Sequence, residues 1–164
     1  MRRKDRQMKP EFAWEVFDRA DYGVLGLDQS YAIPISPARI DRTIYFHGAK
    51  QGQMRDIIKQ NDRVSLIVVG DVKPSDHSFS TEYESGIFQG RVEVVTDETE
   101  AIEALKAISE RYTPQMMEHF HREILLSLPR TQVFRLVIEH VSAKRKKFDE
   151  DGREIPGNFN EGEL

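Results

Sequence analysis

The richest chemistry in the chain sits in one stretch, Tyr45-Phe46-His47-Gly48-Ala49-Lys50-Gln51-Gly52. Thr43–His47 reads as a strand, with Ile44 and Phe46 on one face and Tyr45 and His47 on the other. The small residues Gly48 and Ala49 permit close backbone approach, Lys50 adds a positive charge, and a helix begins near Gly52. Free N–H groups at a helix start, joined by a lysine, suit a phosphate dianion. The competing reading is an ordinary strand-to-helix turn with a solvated lysine. His47 titrates near neutrality by type, which suits proton exchange with a bound substrate or a hydrogen bond to it. Its plain alternative is a strand-end histidine satisfied by structural hydrogen bonds.

Other chemistries lack their signatures. Neither G-x-x-x-x-G-K-[ST] nor G-x-G-x-x-G occurs, which excludes nucleotide binding by those loops. There is no H-E-x-x-H, and His119 with Glu123, although spaced i, i+4 with His121 nearby, lacks a third ligand. No metal site is expected; the polar face of an amphipathic helix accounts for these residues. No G-x-S-x-G elbow marks a nucleophilic serine. The chain has no cysteine, so disulfides, thiolate zinc sites and cysteine nucleophiles are all excluded.

The elements that must position the stretch follow from periodicity. Pro10–Ala20 reads as a helix with Phe12, Val16 and Ala20 in register. Tyr22–Leu27 is a first strand, and Asp28-Gln29-Ser30 a turn. Tyr31–Ile40 is an edge-like or bulged strand, because Pro34 and Pro37 cannot donate to a central ladder. Gln51–Gln60 is a helix, and Val64–Val69 a buried strand. Gly70–Thr81 is rich in turn formers and reads as a long mobile loop. Glu82–Val95 is a strand with bends at Gly86 and Gly90. A helix capped by Thr96 with Thr99, or in better agreement with the box by Asp97 with Glu100, runs to Tyr112. A further helix starts at Thr113-Pro114 and ends at Pro129, and Gln132–Val141 is the last strand. Consecutive strands joined by short turns pair antiparallel, so about six strands with few helices imply a small closed or half-open barrel.

At 164 residues the chain has the size of one domain. Its 24 basic and 28 acidic residues give a net charge of −4, although residues 1–9 and Lys144-Arg145-Lys146-Lys147 are basic clusters. Two basic ends on an acidic body are not the broad positive surface of a nucleic-acid binder, and aromatics are not interleaved with them. No nucleic-acid partner is expected. The longest apolar run, Leu66–Val69, is far short of the ~20 residues a membrane helix needs. The basic start lacks the apolar stretch of a secretion signal, so no membrane association and a cytoplasmic location are expected. Residues 1–148 are read as the folded domain and 149–164, with Gly152, Pro156, Gly157 and Gly162, as a polar tail, loose or strapped onto a partner subunit.

Several segments together resemble a known family. The opening Met1-Arg2-Arg3-Lys4-Asp5-Arg6, the pair Ile33-Pro34, the stretch Tyr45–Gly52, Tyr83-Glu84-Ser85 and Gly90-Arg91-Val92-Glu93-Val94 resemble the nitroimidazole-resistance proteins. These belong to the pyridoxamine 5'-phosphate oxidase-like flavin-binding split barrels, and the similarity covers most of residues 1–146 in order. The resemblance implies a mainly β fold, a six-stranded antiparallel split barrel with flanking helices, and a homodimer with FMN at its interface. It implies that Gly48, Ala49, Lys50 and the helix start at Gly52 hold the phosphate, and that Ile33, Pro34, Ile35 and Ser36 lie along the ring. It places His47 beside the flavin as the catalytic residue and brings Lys144 from the other subunit. The implied activity is FMN-dependent oxidation and reduction, from NAD(P)H to a small acceptor such as a nitroaromatic ring. A non-catalytic flavin-binding protein and a related oxidase with another substrate are the alternatives. Two departures stand out. Gln53 and Met54 replace the usual lysine after the loop, leaving Arg55 as the nearest cation, and Ala143-Lys144 replaces Gly-Lys.

Overall fold

The computed structural model describes residues 3–76 and 78–159. Met1 and Arg2 of the basic start, His77 of the expected loop and residues 160–164 of the tail, Gly162 included, lie outside the described residues. The elements, in chain order, are β1 (Gln7–Met8), α1 (Pro10–Arg19), β2 (Gly23–Gly26), β3 (Ala32–Ile35), β4 (Ala38–Ile40), β5 (Thr43–Ala49) and α2 (Gln53–Gln60). They continue with β6 (Arg63–Pro74), β7 (Thr81–Val94), α3 (Glu98–Tyr112), α4 (Phe120–Ser127) and β8 (Thr131–Lys146). All strands form one antiparallel sheet ordered β3-β2-β6-β7-β8-β5-β4, with β1 on β8.

Only Ser36 and Pro37 separate β3 from β4, yet these strands lie at opposite ends of the sheet. A two-residue link spans roughly 10 Å at most, so the sheet must curl until its two edges approach. The result is a half-barrel split between β3 and the β4–β5 lip. The single edge-like strand expected over Tyr31–Ile40 is therefore two strands. Pro37 breaks the ladder, and Pro34 sits on the sheet edge, where a missing N–H costs little. With the two-residue β1 this raises the count from six to eight among the described residues.

The half-barrel closes on Phe17, Phe46, Phe88, Phe134, Leu25, Ile44, Leu66 and Leu136, all fully buried. The helix α1 contributes Ala13, Val16 and Phe17; Trp14 and Phe17 meet the Phe88 ring edge-on at centroid distances of 4.7 and 5.8 Å. A second core lies on the other face of β5 and β8, where Tyr45 and Val133 pack beneath Ala104, Leu105, Phe120 and Ile124 of α3 and α4. The Asp97 carboxylate caps α3 by accepting from the Glu100 N–H at 2.8 Å, as the capping pattern predicts. The helix expected from Thr113 begins instead as a 3-10 turn over Pro114–His119, and only Phe120–Ser127 is α-helical.

The long loop expected at 70–81 is mostly strand. β6 and β7 remain paired out to Pro74 and Thr81, past an irregularity between Gly70 and Lys73. The polar residues that suggested a loop are held by charges from elsewhere. Arg19 donates to Glu84 at 2.9 Å, Lys73 lies 3.6 Å from Glu82, and Lys147 pairs with Asp71. The tail also has partners within its own chain. Phe148 bridges Glu154, the Gly157 N–H donates to the Asp5 carbonyl at 2.8 Å, and Glu154 pairs with Arg6. A Cβ at Gly157 would stand 2.9 Å from the Arg6 carbonyl carbon, so glycine is what allows this approach.

Candidate functional site

The split in the barrel is where most of the expected site residues meet. On one lip, Ile33, Pro34 and Ile35 of β3 and Ser36 after it line a cleft of about 600 Å3. On the other, His47, Gly48 and Ala49 end β5, and Gly52 leads into α2. The curl of the sheet brings these distant stretches together.

Gly52 has φ +124°, a conformation that favours glycine, and it turns the chain from β5 into α2. No side chain caps this helix, and its first backbone bond runs from the Asp56 N–H to the Gly52 carbonyl at 3.1 Å. The N–H groups of Gln53, Met54 and Arg55 therefore have no acceptor within the helix. Met54 lies against Gly48, where a Cβ would come within 2.5 Å of the Met54 methyl.

Arg55 points the same way. It lines the cleft, its Nε is buried, and that donor has no hydrogen-bond partner among the described residues. A buried, unsatisfied guanidinium N–H is costly unless an anion completes it. Orphan N–H groups, the positive end of a helix and an unpaired arginine together make a cradle for a phosphate or carboxylate.

Two of the expected residues fall elsewhere. Lys50 is exposed and lines a neighbouring cleft with Asp97 and Glu98, whose carboxylates disfavour an anion there. Lys144 lies on β8 opposite Gln7 and Ser85, whereas the β8 residue beside Gly48 is Gln132. The two positions are twelve residues apart on β8, and Lys144 is not among the residues that line the cleft. The cleft also includes Tyr22, Tyr31, Gln51, Gln53, Met54 and Arg55, which are not among the expected site residues. Arg55 was visible in sequence as the nearest cation after the loop; the two tyrosines carried no signal that tied them to it.

His47 stands between two cavities, this cleft and a smaller one beneath α3 and α4. Its imidazole makes no hydrogen bond to a described residue. Its edge reaches solvent, but crowding strips much of its hydration and lowers its pKa below the ordinary 6.5. The unfolded chain takes up this proton first as pH falls, so His47 subtracts stability progressively below pH 6.5. We expect an NMR titration of the His47 ring to show a midpoint below 6.5; a midpoint above it would contradict the desolvated environment. Among the described residues no cluster of three or more His, Asp or Glu could hold a metal, and no helix is long and apolar enough to cross a membrane.

A curled antiparallel sheet, split along one side with a cleft at the split, defines the chain as a split half-barrel. Residues 9–145 match the model of the pyridoxamine 5'-phosphate oxidase family, and the chain belongs to that family. No curated sequence is significantly similar to it. Similar solved structures include a candidate 5-nitroimidazole antibiotic resistance protein of Bacteroides thetaiotaomicron, with 18% identity, 84% of each chain covered and a TM-score of 0.68. A flavocytochrome of Azotobacter vinelandii is 20% identical over 93% of this chain and 79% of its own, with a TM-score of 0.69. The FAD and heme binding protein of Mycobacterium smegmatis is 19% identical over 93% and 83%, with a TM-score of 0.70. At these identities the likeness establishes a shared fold.

Proposed function

We propose that the chain is an FMN-dependent oxidoreductase that takes electrons from NAD(P)H and passes them to a small acceptor of the nitroaromatic class. The observation that carries this reading is the unpaired Arg55 Nε beside the free N–H groups of α2, at one end of a cleft at the split. One such cradle suits the single terminal phosphate of FMN. The flavin-binding proteins that share the fold support the choice of cofactor class.

Bound flavin supplies the hydride and electron chemistry. The protein holds and shields it. Arg55 and the Gln53–Arg55 N–H groups neutralise the phosphate, and Ile33, Pro34 and Ile35 give the cleft an apolar wall that excludes water. His47, whose charged form desolvation disfavours, is placed to exchange a proton with a molecule in the cleft. The cleft is open on one side and Lys144 is not in its lining, which supports a homodimer in which a second copy brings its Lys144 to the cleft.

An absorbance scan of the purified protein, repeated after adding FMN and desalting, tests the cofactor. Two flavin bands that stay with the protein are expected, followed by turnover of a nitroaromatic compound with one of the reduced nicotinamides. Protein that emerges colourless from desalting, with no spectral change in added FMN, would overturn the reading.

A further inference from the structure

His47 also lines a second, smaller cavity of about 250 Å3. Its floor is formed by His47 of β5 and Thr131 of β8. Its walls are Leu105 and Ile108 of α3, Phe120 and Ile124 of α4, and the two thioethers Met116 and Met117 between those helices. We propose that this cavity binds a small uncharged molecule built on a single aromatic ring, held against His47 at the wall shared with the flavin cleft. This deepens the proposed function by assigning the acceptor a place, and it rests on that reading only for the identity of the neighbouring site.

Size limits the occupant first. An apolar cavity of roughly 150 Å3 suffices for benzene, while drug-sized ligands take about 300–1,000 Å3. About 250 Å3 therefore accepts one ring with one or two substituents and excludes a nicotinamide dinucleotide or a flavin. The lining limits it next. Phe120, Met116 and Met117 offer a ring edge and polarizable sulfur, both favourable to an aromatic guest, and methionine adapts to its shape. A negative charge is disfavoured because the lining holds a carboxylate, Glu123, and no cation. The Thr131 hydroxyl donates to the Ser127 carbonyl at 2.9 Å and the Thr113 hydroxyl to the Ser109 carbonyl at 3.2 Å. Glu123, at the cavity wall, is occupied by Arg122 at 3.0 Å. Burial also disfavours the charged form of His47. The His47 imidazole and the Ser109 hydroxyl remain unengaged by the described residues, able to hydrogen-bond a substituent such as a nitro oxygen.

Methionines report on both cavities separately. Met116 and Met117 line the small one, Met54 lines the flavin cleft, and Met8 is buried in the main core. Flavin-free protein carrying 13C-methyl methionine is titrated with nitrobenzene, then with benzoate. Nitrobenzene is expected to shift Met116 and Met117 in a saturable way while Met8 and Met54 stay still, and benzoate to bind at least tenfold more weakly. Ser109→Phe, which fills the cavity from α3, should weaken nitrobenzene at least tenfold, with an unchanged Met8 signal reporting an intact fold. Ser109→Leu should act in the same direction and decides the matter should the larger side chain disturb folding. Shifts confined to Met54, equal binding of benzoate, or a titration unaffected by the folded Ser109 variants would overturn the proposal. FMN added to the same samples is followed at Met54. A silent Met54 would count against the flavin reading alone and leave the nitrobenzene result to stand or fall separately.

Discussion

Gly90→Ala is expected to destabilise the protein by about 3 kcal/mol, the upper part of the range for forcing atoms into a packed site. At roughly 2–4 °C per kcal/mol for a chain of this length, the melting temperature should fall by roughly 6–12 °C. The reason is geometric. Between Gln89 and Gly90 the register of β7 against β8 shifts, so Gln89 faces His140 while Gly90 faces Ile138, and Glu139 is the extra residue. This bulge turns Glu139 out to accept from Arg63 at 3.1 Å and Arg91 at 2.9 Å, which tie β6 and β7 to the same point. A Cβ on Gly90 would stand 2.9 Å from the Val137 carbonyl carbon, nearer still to its oxygen, and 3.1 Å from the Glu139 nitrogen. All three are backbone atoms, which cannot swing away as a side chain can. Gly26→Ala is the control. Its Cβ would meet only the Ser65 carbonyl oxygen at 3.5 Å, an ordinary contact. That change should stay within about 1 kcal/mol of the parent and is favoured slightly by the stiffer unfolded chain. Thermal denaturation of the two variants side by side decides the point: equal melting temperatures would mean that β7 and β8 can slide past the bulge without cost.

What the sequence makes legible divides by range. Signals confined to a few residues hold up: Asp97 with Glu100 at the start of α3, the proline that opens α1, the alternation of Ile44 and Phe46 with Tyr45 and His47, the bend at Gly90. Where distant residues decide, the local reading fails. Gly70-Asp71 is a turn former by type, yet strand pairing resumes at Lys73 and Pro74, with Lys147 on Asp71 and Lys73 near Glu82; only Ser75 and Asp76 lie in the turn, as their types suggest. The basic run at 144–147 shows no partner in the local sequence, but Lys146 is only 7% exposed, with its amine on Ser80 and the Phe148 ring. The tail looks unattached because its partners, Asp5, Arg6 and Gln7, are some 150 residues away in sequence. The site shows the same division. The stretch from His47 to Gly52 is local and legible, and its meeting with Ile33–Ser36 follows from the resemblance, but where each cation ends up depends on distant partners. Lys50 leaves β5 with its N–H on the Arg130 carbonyl, beside Asp97 and Glu98, while the turn at Gly52 leads Arg55 into the cleft.

This difference sets the largest expected effect on ligand binding. Arg55→Ala should weaken FMN affinity by roughly 10- to 150-fold, the equivalent of one charge-assisted hydrogen bond of about 1.5–3 kcal/mol. Lys50→Ala should cost less than about threefold, since an exposed cation outside the cleft contributes only a screened attraction. Arg55→Lys should recover only part of the loss, because an ammonium restores the charge without the planar fork of donors. The ligand-free proteins supply the internal check. The Arg55 Nε has no hydrogen bond to lose, so Arg55→Ala should leave the melting temperature of the flavin-free protein nearly unchanged and act only when FMN is present. Fluorescence titration of FMN into all three variants measures these differences. A larger loss for Lys50→Ala than for Arg55→Ala would move the phosphate to the other side of the Gly52 turn. Equal, small losses for both would leave the α2 N–H groups as its only anchor. A drop in the melting temperature of flavin-free Arg55→Ala would show that Arg55 is bonded within the fold, and the cradle would then lose the observation on which it stands.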